Sequence, residues 1–169
     1  MVTFSIYTFD SVDGAQRVLA VVEALQDSAA VAFDDVAVVV WPRDAQRPVA
    51  WQEPAPVGRS GLSGAFWGLL FAVLFLLPLT GVEVDPQQPR GLLARVGLDD
   101  RLLQAIARGL TPGGSALFLL GDPEPPVARL QSVLTRRQAR RFVAGLDEHQ
   151  SAILHMAFGA DPEPPRGDG

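Results

Sequence analysis

The chain has 169 residues, a formal net charge of −5 from 14 basic and 19 acidic groups, and a hydrophobic fraction of 48%, so one domain of this size can bury a core without disulfides or metals. Every basic residue is arginine and there is no cysteine, which excludes Schiff-base and P-loop lysines, thiolate catalysis, disulfides and cysteine-held zinc. The acidic balance repels phosphate backbones, so no nucleic-acid partner is expected.

The first residues, Met1–Ile6, lack a basic stretch followed by an apolar one, and no signal peptide is read there. Thr3–Phe9 alternates as a strand does. Asp10 and Ser11 offer a cap for a helix whose Ala15, Val18, Leu19, Val22 and Leu25 share one face. Val36–Trp41 is a β-branched run suited to a strand covered on both faces, and Pro48–Glu53 returns as a short edge strand.

Ser60–Val82 follows, 23 residues without a charge between Arg59 and Glu83. Ser60, Gly64, Gly68 and Ala72 recur at four-residue spacing, a ridge of small residues that admits a close helix neighbour. Phe66, Trp67, Leu70, Phe71, Leu74 and Phe75 cover the remaining faces, and a helix apolar all round is buried in protein or in lipid. Pro78 and Gly81 stop the helix, leaving Gly61–Leu77 at about 25 Å, short of a ~30 Å hydrocarbon core.

Beyond a polar stretch, Leu98, Leu102, Leu103, Ile106 and Leu110 mark an amphipathic helix with Asp99 and Asp100 at its start. Ala116–Leu120 is a buried strand, Val127–Leu134 a short helix, Arg141–Leu146 a last strand and Asp147–Phe158 a last helix. Asp122–Pro126 and Asp161–Pro165 repeat one acidic, proline-rich pattern that buries nothing, so 160–169 is expected to be a disordered tail on a single 1–159 domain.

Few residues carry the makings of chemistry. His149 and His155 are six apart and face different ways, so they do not form a metal pair. Asp34–Asp35 and Asp99–Asp100 precede regular elements and read as turn and cap residues. Gly113-Gly114-Ser115 has no following lysine and leads into a strand, so no phosphate loop is read. Arg136, Arg137, Arg140 and Arg141 are a candidate anion contact. No catalytic residue, metal ligand or cofactor site is assigned.

Gly58–Phe71 with Leu77–Gly81, Asp35–Glu53, Gly97–Leu103 with Leu110–Leu120, and Phe142–Ala157 together resemble the bacterial and archaeal domain-of-unknown-function family twelve-sixty-nine. Its members are commonly labelled uncharacterised membrane proteins, and the resemblance implies no activity. The chain departs from the family at Val82–Arg95, polar and proline-containing where other members continue into a second Gly/Ala-rich helix.

The order of elements leads to an α+β fold: a ferredoxin-like split βαβ sheet with its helices on one face, an inserted apolar glycine-ridge helix and an extra C-terminal α-β-α. The functional expectation is a non-enzymatic, self-associating structural or stress-related protein. Its apolar helix forms a homo-oligomer core or docks to membrane lipid, in the cytoplasm or at the inner face of the membrane. An integral membrane protein is the alternative location, and a small-molecule-sensing module the alternative function.

Overall fold

The computed structural model describes residues 2–28, 33–52, 64–76, 93–121 and 128–158. Five strands form one antiparallel sheet: β1 Val2–Phe9, β2 Phe33–Val40, β3 Val49–Gln52, β4 Ser115–Gly121 and β5 Arg140–Leu146, in the order β3-β2-β4-β1-β5. The helices are α1 Gly14–Asp27, α2 Gly64–Phe71 running into a π-turn at Ala72–Leu76, α3 Asp100–Gly109, α4 Ala128–Arg136 and α5 Glu148–Phe158. The acidic tail at 160–169, the Asp122–Pro126 repeat and Ser60 lie outside the described residues.

The strand pattern follows from burial. All seven residues of β4 are buried, because β4 sits between β1 and β2 with a packed layer on each face. A strand in that position reads as a continuous apolar run. β5 is an edge strand, and there Phe142, Ala144 and Leu146 point inward while Arg141, Val143 and Gly145 are exposed.

The helices occupy both faces of the sheet, not one. Val18, Val22 and Leu25 of α1 pack with Leu130 and Leu134 of α4 against Tyr7, Val36, Val38, Leu117 and Leu119. The opposite face carries Phe66, Trp67 and Leu70 of α2, Leu103 and Ile106 of α3, and Leu154 of α5 against Phe4, Ile6, Ala37, Phe118 and Leu120. Nor are the last elements an appendage. β5 pairs with β1 from Val2↔Leu146 to Thr8↔Arg140, and α4 packs beside α1. The physical reason is that β1 has two edges to satisfy, and β4 fills one of them.

Helix starts are set by specific oxygens. Asp99 accepts a hydrogen bond from the Leu102 amide at 2.9 Å, as an N-cap should. Asp147 and Gln150 form a reciprocal box over the first turn of α5, at 2.7 and 3.1 Å. The cap of α1 differs from the expectation. Asp13, not Asp10 or Ser11, is the N-cap residue, and its side chain makes no cap hydrogen bond. Its carboxylate is taken by Arg17 at 2.6 Å, and that hydrogen bond holds the Asp13 carboxyl below its ordinary value. The Ala15 amide donates instead to the buried Ser115 hydroxyl at 3.0 Å, which donates in turn to the Ser11 carbonyl at 2.7 Å. Ser115 thus joins the start of β4 to the start of α1. Gly113, at φ 89, makes the turn that leads there.

Candidate functional site

The uncharged segment divides into an inner and an outer face. Phe66 and Trp67 are 0% and 2% exposed, with Leu70, Val73, Leu74 and Phe75 also buried. Trp67 stacks on Phe4 at 5.7 Å and on Phe71 at 5.8 Å, and meets Phe118 edge-on at 6.0 Å. Phe75 reaches the Trp41 ring edge-on at 6.5 Å. Each fully buried aromatic of this kind contributes about 1.5–3 kcal/mol through burial alone. These residues were candidates for an oligomer core or a lipid contact; the structure places them in the core of their own chain. Phe71 is half-buried.

A buried carboxylate fixes this packing. Asp35 is 1% exposed, accepting from the Val36 amide and from the Trp67 indole N–H, each at 2.9 Å. It is not a turn or cap residue. It lies within β2, where the register against β4 shifts between Phe33 and Asp35. A bulge re-aims a side chain, and this one carries the carboxylate to the aromatic layer.

Gly68 marks the outer face. Gly68 is exposed, and among the described residues a Cβ placed on it would meet nothing within 4 Å. Leu69 and Ala72 are half-buried. Gly64 begins α2. From Ala72 the backbone widens into the π-turn, so the four-residue ridge does not continue in register beyond that point. The wider turn subtends a smaller angle per residue, which lets three consecutive side chains, Val73, Leu74 and Phe75, all face the core.

Two other places hold polar groups. Arg136 and Arg137 end α4, Gln138 turns the chain at φ 53, and Arg140 and Arg141 open β5. Three of these arginines are exposed and Arg137 is half-buried. Among the described residues none of the four forms an ion pair; the Arg136 Nε donates to the Ser132 carbonyl at 3.4 Å. At the other end of β5, an open cleft of about 380 Å³ is lined by Val2, Leu146, Asp147, Glu148, Ser151 and His155. Its polar atoms are partly committed to α5: Asp147 caps the helix and His155 Nδ1 lies 2.8 Å from the Ser151 carbonyl. Among the described residues no cluster of three metal-ligating side chains occurs.

Among the described residues no helix is long and apolar enough to cross a membrane. In the uncharged segment the structure describes a helical stretch over 64–76, and the ends of the expected 61–77 helix lie outside the described residues. No curated protein and no solved structure matches the chain. The family model described as Protein of unknown function (DUF1269) matches residues 61–159, which run from the uncharged segment to the end of α5. That range is more than half of the chain, and the chain belongs to the DUF1269 family.

Proposed function

We propose that this is a non-enzymatic, self-associating structural or stress-related protein on a ferredoxin-like frame, in which the outer face of α2 is the contact surface. The β1-α1-β2 and β4-α4-β5 units, each with a strand of the other between its own two, support that reading of the frame. The single observation that carries the function is Gly68: exposed, open to solvent and set in a helix without a charged residue. Half-buried Leu69, Phe71 and Ala72 flank it, so apolar surface surrounds the glycine. A second α2 can approach the glycine more closely than the usual 8–10 Å helix separation.

Replacing Gly68 by Leu tests this cleanly. Among the described residues nothing stands where the new side chain goes, and leucine is the better helix former by about 0.5–1 kcal/mol. The folded monomer is therefore expected to keep or raise its melting temperature. A close helix contact would be overpacked by about 1–3 kcal/mol at each interface. Sedimentation in buffer, in detergent and with lipid vesicles is expected to show a smaller assembly. An unchanged assembly together with unchanged vesicle binding would reject α2 as the contact.

A further inference from the structure

Charge is sorted along the strand direction. At the end where β1 and β2 finish and β4 and β5 begin, the α4–β5 corner brings Arg136, Arg137, Arg140 and Arg141 together, with Arg140 opposite Thr8 and Arg141 opposite Tyr7. The turn after β2 adds Arg43, beside Gly113, and Arg47. Arg108 lies in the last turn of α3, next to Gly109, where a Cβ would come within 3.3 Å of Thr8 Oγ1. Arg17 cancels Asp13, so among the described residues the acids left at this end are Asp10 and Asp44.

The opposite end has the reverse sign. α1 finishes there with Glu23 and Asp27, both exposed, and β5 runs out into exposed Asp147 and Glu148. Gly97 lies near the Gly145 carbonyl, which brings exposed Asp99 and Asp100 to the same end. Arg95, Arg101 and Arg129 reduce this acidity without reversing it. The described residues therefore present two surfaces of opposite sign, about one strand length apart.

We propose that the arginine end is a docking surface for the acidic end of a second copy of this chain, head to tail. The complementary surface is part of the protein itself, and patches of opposite sign steer short-range encounter even between molecules of the same net charge. A contact between two different patches of identical molecules propagates into rings or filaments. Guanidinium groups suit it, because their fork pairs two-pronged with carboxylates. The proposal rests on the reading of a self-associating protein but uses a different surface from α2, so the two tests respond separately.

The experiment uses the full chain and two charge-reversed variants. The first carries Arg136→Glu, Arg140→Glu and Arg141→Glu; the second carries Glu23→Arg, Asp27→Arg and Glu148→Arg. All six positions are exposed and none is a helix cap, so circular dichroism is expected to show both variants folded. Sedimentation of the wild type is expected to show association weakening tenfold or more as salt rises from ~0.01 M to ~0.15 M and the screening length falls from ~30 Å to ~8 Å. Each variant alone is expected to lose the salt-sensitive association, and a one-to-one mixture is expected to regain it. Association that ignores salt and both variants would overturn the proposal. So would a monomeric wild type that binds phosphatidylserine vesicles through the same arginines, which would give this end to a lipid surface. Loss of association on deleting 160–169 alone would overturn it as well, giving the arginines to the acidic tail.

Discussion

Asp35 and Thr8 are polar side chains within the core, at 1% and 2% exposure, and their situations differ. Asp35 is served by the Val36 amide and the Trp67 indole, so it ties β2 to α2. Removing a donor from a buried carboxylate costs about 1–3 kcal/mol, and shrinking the indole adds a cavity cost. Trp67→Phe is therefore expected to lower stability by about 2–4 kcal/mol in urea unfolding; a loss below ~1 kcal/mol would show that α2 is held without this bond. Among the described residues the Thr8 hydroxyl has no hydrogen-bond partner, and it packs near Gly109 and Phe142. An isosteric methyl removes a desolvated polar group, so Thr8→Val is expected to be neutral or to stabilise by up to ~1 kcal/mol. A clear loss in the same melt would reveal a partner for the hydroxyl. Neither situation was legible in the sequence. Asp34–Asp35 reads as a turn because two carboxylates stand before an apolar run, and the indole that claims Asp35 arrives 32 residues later.

Elements were more legible than residues, because periodicity records which faces are covered. The alternating edge of β5, the apolar run of β4 and the single apolar face of α3 each match their burial. α2 shows where that signal stops. Gly68 faces outward while Phe66, Trp67 and Leu70 face the core. No polar stripe says which side meets water, so the partner of the large face stays undetermined by pattern alone. That partner is the chain's own sheet, through Phe4 and Phe118. The π-turn was also invisible, since it reflects how Val73–Phe75 settle on the sheet rather than any local propensity.

At the scale of the whole molecule, the sheet order was the least legible property. β4 and β5 lie within the range matched by the family, yet they do not pair with each other; β1, from outside that range, lies between them. A 61–169 fragment is therefore expected to show little stable structure by circular dichroism. Adding a separate 1–60 fragment is expected to restore the sheet. A cooperative melt of 61–169 alone would mean that β4 and β5 can find another pairing.

The place of β4 between β1 and β2 also dictates an order of events on the ribosome. β1 and β2 emerge early but are never neighbours, so the first strands have no mutual pairing beyond the β2–β3 hairpin. Residues 53–114 must be made before β4 can begin to fill the gap, about 3–13 s at ~5–20 residues per second. During that interval both edges of β1 are open, and the most apolar segment of the chain, α2, has been synthesised without the β4 strand it packs over. The mature sheet leaves few apolar edges bare, but the nascent chain passes through a state that does, and its yield in a cell depends on what shields α2 during those seconds.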